Sequence, residues 1–167
     1  MNETAVADTG PLLHLAEIQQ DALFTSFRKI VISSAIEAEL VRYQVMGRLR
    51  SILPDQLHVI PVEVPPPAFC PQEINEFRHQ PADVSVIRLA CLIQPQLVLT
   101  DDLLLRRYLE SKNYKVVGSI GILIRSFHLQ QISKNDLYFY LDRLFDDSSL
   151  YFSRGFYAYV RTLLEHL

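Results

Sequence analysis

No stretch of this sequence approaches the roughly 20 consecutive apolar residues that a membrane-spanning helix requires. Its first residues also lack the basic region and apolar run of a secretory leader. Both absences predict a cytoplasmic protein. Cysteine is scarce: Cys70 and Cys91 stand far apart, with no Cys-x-x-Cys and no Cys/His spacing. Neither a disulfide framework nor a zinc site is indicated, and both thiols are expected to be reduced and half-buried. The five histidines, His14, His58, His79, His128 and His166, show no paired metal spacing and read as surface or structural. An excess of positive charge is missing too. The net charge of −3 excludes the uniformly basic body of a general nucleic-acid binder. Any such contact then falls to local patches: Arg48 with Arg50, Arg106 with Arg107, and Lys112 with Lys115. Each of these also reads as an ordinary solvated helix face. No repeat or low-complexity tract is evident.

What is present, 167 residues that are 49% hydrophobic and 21% charged, fits one globular domain, 1–167. Strands are expected at Ala5–Ala7, Ile30–Ile32, Leu57–Val62, Leu97–Thr100 and Lys115–Val117. Helices are expected at Leu12–Phe27, Ser34 to about Arg50, Ala82–Ile93, Leu103–Lys112, Gly118–Leu129, Asp136–Leu144 and Arg154–Leu167. The run Pro61–Pro71, with Pro65, Pro66 and Pro67, reads as an exposed connection, and Gln72–His79 as a short helix. Strands alternating with helices predict an α/β fold, a parallel sheet of four or five strands sandwiched by helices.

Two predicted strands end in acid, "TAVAD" at Asp8 and "LVLTDD" at Asp101 and Asp102. In an open parallel sheet the functional crevice lies beyond the carboxyl ends of the strands. Either acid alone reads as a turn-former or helix cap; two strands ending alike shift the balance toward a site. In "SSAIEAEL", Ser34 and Glu37 have capping-box spacing. Glu39 instead falls with Ile36, Leu40 and Tyr43 on the stripe that should face the core, where a charge is costly unless it lines a polar pocket or meets a cation. Asp83 shares a face with Val86, Ile87 and Ala90 at a helix start; the helix dipole and site chemistry both account for it. Clustered carboxylates raise one another's pKa unless a cation sits among them, and an oxygen-only set suits Mg²⁺ or Mn²⁺. The chemistry natural to such a set is phosphoryl-ester hydrolysis.

In this order along the chain, "VADTGPLLHLAEI", "IVISSAIEAEL", "ADVSVIRLACL" and "LVLTDDLLLRRYLESKNYKVVGSIGILI" resemble the PIN-domain ribonucleases, in particular VapC-like toxins of bacterial toxin–antitoxin pairs. The resemblance implies a PIN-like fold and a metal-dependent endoribonuclease that hydrolyses RNA phosphodiester bonds by metal-activated water. It implies Asp8, Glu39, Asp83 and Asp102 as the acidic site, with Asp8, Asp83 and Asp102 as metal ligands and Mg²⁺ or Mn²⁺ as the cofactor. Thr9, Thr100 and Asp101 would support these acids, the threonine hydroxyls bonding carboxylates or phosphate. Asp102, two residues after Thr100, matches the family's fourth acid better than Asp101. "QPAD" departs from the glycine and glutamate that close relatives often have. The partners implied are an RNA substrate, a small antitoxin protein and a second copy of the chain in a homodimer.

Other acid-bearing parallel folds fit less well. A receiver domain needs its paired acids after the first strand, and a haloacid-dehalogenase-like phosphatase needs Asp-x-Asp there, which "DTG" does not supply. "GSIG", 118–121, lacks the full dinucleotide fingerprint and reads as a helix start. The alternative from a different class is a catalytically weak or silent binding or dimerisation module, using the aromatic-rich segments 136–145 and 150–160.

Overall fold

The computed structural model describes residues 3–62 and 81–166. The expected connection at Pro61–Pro71 beyond Val62, the short helix at Gln72–His79, Cys70 and His79 lie outside the described residues. Five strands, β1 (Thr4–Ala7), β2 (Lys29–Ser33), β3 (Leu57–Ile60), β4 (Leu97–Leu99) and β5 (Val116–Val117), form one sheet in the order β3-β2-β1-β4-β5. Every pairing is parallel, with Ala5 opposite both Ile30 and Leu97, and Ala7 opposite Leu99. The inner strands are continuous apolar runs because both faces are covered: Ala5–Ala7, Ile30–Ile32 and Val98–Leu99 are fully buried.

The chain leaves β1 toward β2 on one side and returns to β4 on the other. The crevice at the carboxyl ends of β1 and β4 is therefore the topological switch point, where open parallel sheets hold their sites. Helices α1 (Thr9–Glu17), α2 (Ser34–Arg42) and α4 (Pro81–Ile93) start near that edge. They are followed by α5 (Leu103–Ser111), α6 (Ser119–His128), α7 (Lys134–Asp146) and α8 (Arg154–Glu165). In α4, Asp83, Val86, Ile87 and Ala90 all lie on the buried face.

Two expected helices are shorter than their periodicity. The helix expected over Leu12–Phe27 ends at Glu17 and gives way to a 3₁₀ turn, Asp21–Ser26. The one expected to reach Arg50 splits into α2 and α3 (Met46–Ile52). Each break sits on a glutamine in the left-handed region, Gln19 at φ 62° and Gln44 at φ 61°. Beside them, Gln20 N–H bonds Leu15 O and Val45 N–H bonds Leu40 O, the backbone closure that a glycine normally provides. The expected capping box also shifts. Ser33, not Ser34, caps α2 by accepting from the Ile36 N–H, and Glu37 pairs with Arg50.

Candidate functional site

Asp8 is the first residue past β1. One carboxylate oxygen accepts from the Thr9 N–H at 2.7 Å, capping α1, and the other accepts from the Thr100 hydroxyl at 2.8 Å. That second bond follows from register: Ala7 lies opposite Leu99, so Asp8 and Thr100 leave the sheet side by side. The Thr100 oxygen in turn accepts from the Asp102 N–H, and Asp102 caps α5 by accepting from the Leu105 N–H at 2.7 Å. Glu39, half-buried on α2, accepts from the Thr9 hydroxyl. Asp83 comes from the first turn of α4. Asp8, Glu39, Asp83 and Asp102 all line one open cleft of about 640 Å³, with Thr9, Gly10, His14, Tyr43 and Ser149 among its other walls.

The electrostatics of this cleft are those of confined like charges. Burial is the main cause that raises the Asp8 carboxyl to about 6, against the opposing hydrogen bonds from Thr100 and Thr9, with Glu39 and Asp101 adding repulsion. Asp83 is raised to about 7, again chiefly by burial and then by Asp8, Asp102 and Glu39. Among the described residues Asp83 has no hydrogen-bond partner, although its residue is only 9% exposed. A carboxyl that faces the cleft without a hydrogen-bond partner and feels the charges of three other acids fits a cation. Among the described residues no three His, Cys, Asp or Glu side chains are placed as a ready ligand set for one ion. The oxygen-only donor set nonetheless suits Mg²⁺ or Mn²⁺, which take only one or two direct carboxylates and keep several waters.

Asp101 does not line this cleft. Its carboxylate accepts from the Ser119 N–H at 2.7 Å, the Ser119 hydroxyl at 2.6 Å and His14 Nδ1 at 2.8 Å. Gly118 is small for a steric reason: a Cβ there would meet Asp101 Oδ1 at 2.5 Å and Arg106 Nη2 at 2.9 Å. "GSIG" is thus more than a helix start, since it forms the seat of Asp101. His14, read from sequence as surface or structural, lines the cleft. Its partner Asp101 is 87 residues away, a distance no local pattern spans.

Four of the six basic residues expected to form patches make contacts within the fold, while Arg107 and Lys115 are exposed. Arg48 pairs with the fully buried Asp21 at 2.6 Å, Arg50 with Glu37, and Arg106 donates to the carbonyls of Thr100 and Val116. Lys112 lies over the Tyr108 ring. Phe156, Tyr159 and Leu163 on α8, with Tyr151 just before it, are exposed, while Val160 and Leu164 are buried. Cys91 is a half-buried free thiol. No helix among the described residues is long and apolar enough to cross a membrane.

A family model described as DUF3368, PIN domain, matches residues 4–166. A solved structure of a PilT N-terminus domain protein from the hyperthermophilic archaeon Sulfolobus solfataricus P2 is similar at 13% identity and a TM-score of 0.49. The similarity covers 74% of this chain and 92% of that one. No curated protein matches the chain.

Proposed function

The chain belongs to the PIN-domain family, a nuclease-type fold, and from that membership we propose that it is a metal-dependent endoribonuclease acting through Asp8, Glu39, Asp83 and Asp102. The observation that carries this reading is Asp83: a half-buried carboxyl facing the cleft without a hydrogen-bond partner among the described residues, raised to about 7 beside three other acids. Asp8, Asp83 and Asp102 would hold Mg²⁺ or Mn²⁺. When bound, the cation would supply activation of water and neutralisation of charge building up on the phosphate.

The protein's own residues do the positioning. Thr9 N–H and Thr100 fix Asp8, the Thr9 hydroxyl fixes Glu39, and the start of α5 fixes Asp102. The carboxylates of Asp8, Glu39 and Asp102 thus keep defined orientations despite their repulsion, in a cleft that is open to solvent. Incubation of purified protein with RNA, with and without Mg²⁺ or Mn²⁺, tests the proposal. Cleavage should require metal and fall by at least about 100-fold in Asp8→Asn, the scale on which loss of a transition-state charge stabiliser is felt. Equal cleavage by the variant would identify a contaminant.

A second reading draws on the exposed Phe156, Tyr159 and Leu163, which lie at i, i+3 and i+7 of α8. An apolar stripe of that kind suits a partner helix or a second copy of the chain. It is compatible with a homodimer or with a toxin held by a small antitoxin, and with a silent binding module if no metal supports cleavage. An upstream reading frame for a small DNA-binding protein would support the toxin role.

A further inference from the structure

Of the described residues lining the acidic cleft, His14 is the one whose side chain carries a positive charge when protonated. It is also the one whose placement the catalytic acids do not explain. Its Nδ1 lies 2.8 Å from Asp101 Oδ2, and the Ser119 N–H and hydroxyl hold that carboxylate in turn. The imidazole and carboxylate side chains are only 12% and 11% exposed. Gly10 packs beneath them, its would-be Cβ 3.4 Å from both His14 Cε1 and Asp101 Cβ. The carboxylate assigns the proton to Nδ1, so Nε2 is the ring's remaining working atom. Nε2 has no partner among the described residues.

We propose that His14 donates a proton from Nε2 to the leaving oxygen of the scissile phosphodiester, and that Asp101 is its positioning residue. The inference rests on the ribonuclease reading of the cleft. The water oxygen forms the new bond to phosphorus, and the bond from phosphorus to the leaving oxygen breaks with its electron pair on that oxygen. The Nε2 proton of the imidazolium passes to it, giving an alcohol and a phosphomonoester; the proton lost by water goes to solvent, from which His14 is reprotonated. Asp101 keeps Nδ1 protonated and the ring in place, as a carboxylate does behind a histidine acid–base in other hydrolytic sites.

The test compares ordinary RNA with RNA carrying sulfur in place of the bridging leaving oxygen, cleaved by the Mg²⁺- or Mn²⁺-loaded protein. Sulfur leaves as a thiolate and needs no proton. His14→Gln should lose about 100-fold or more in kcat on the oxygen substrate, the usual worth of a general acid, and recover to within a few-fold of wild type on the sulfur substrate. Asp101→Asn should show a smaller loss with the same recovery. In the metal-free protein, nitrogen-15 imidazole shifts should report the Nδ1–H tautomer and change in Asp101→Asn. Equal losses on both substrates, or none on either, would overturn the role of His14 while leaving the ribonuclease reading intact. Absence of metal-dependent cleavage of both substrates by the wild-type protein would overturn both. A melting temperature within a few degrees of wild type checks that each variant folds.

Discussion

The hydroxyl of Thr100 serves two of the four acids, donating to Asp8 Oδ2 and accepting from the Asp102 N–H. It is fully buried, so Thr100→Val leaves both groups unmatched and should cost about 1–3 kcal/mol in urea unfolding. Because the lost bond lowers the Asp8 pKa, the variant's Asp8 should titrate higher than in the wild type, and the acidic limb of the cleavage pH profile should move up with it. Gly118 gives a second prediction. Gly118→Ala drives a methyl into Asp101 Oδ1 and Arg106 Nη2 and should cost about 1–3 kcal/mol, the range for overpacking. Its His14 nitrogen-15 resonances should shift as Asp101 is displaced. Asp8, Glu39 and Asp83 could be singled out as candidates from the sequence because strand ends and helix faces are local patterns, whereas the family resemblance is what favours Asp102 over Asp101. Ser119 and His14 could not be singled out, because their roles come from Asp101, which reaches them only through the parallel register and the packing of α1 against α6.

Among elements, the informative features are helix ends. Of the left-handed residues among those described, Gln19, Gln44, Gln94, Asn113 and Gln130, four are glutamines, and none is glycine. Each follows a helix or its last turn. A left-handed residue with a Cβ costs roughly 1–2 kcal/mol relative to glycine, part of which glycine returns as extra freedom in the unfolded chain. Gln44 is exposed, so Gln44→Gly loses no packing and should stabilise the protein by about 0.5–1 kcal/mol, read as a higher urea midpoint with an unchanged slope. These breaks were not legible in the sequence, since glutamine favours helix and the apolar period runs on past it. Tertiary packing decides: Met46 and Leu49 of α3 are buried, which a straight continuation of α2 does not arrange. The capping serine was missed by one position for a similar reason. Ser33 and Ser34 are chemically equal, and only the end of β2 selects the first.

For the molecule as a whole, the cleft acids make stability depend on pH. Asp8 and Asp83 have folded-state pKa values of about 6 and 7, raised from 3.8. Between pH 4 and 7 the native state therefore binds more protons than the unfolded chain, and this contribution to stability falls as pH rises. It is fully present below about pH 4 and lost above about pH 7, a swing on the order of a few kcal/mol. Asp8→Asn/Asp83→Asn should accordingly gain stability over wild type with rising pH across that window in metal-free urea titrations. Mg²⁺ or Mn²⁺ at pH 7.5 should stabilise the wild type and not the variant, since only the former offers the charge that binding relieves. A variant tracking wild type at every pH would remove the electrostatic argument for the site.

The alternation of strands with helices, the apolar inner strands and the acids at their carboxyl ends were determined by local sequence, because periodicity, turn chemistry and strand-end position are properties of neighbouring residues. The sheet order β3-β2-β1-β4-β5, the gathering of four acids into one cleft, the diversion of Asp101 to Ser119 and His14, and the engagement of Arg48, Arg50 and Arg106 were decided only by the tertiary structure. Each depends on which distant groups packing brings within hydrogen-bond reach, and in a buried setting an ionised side chain takes the partner that geometry supplies.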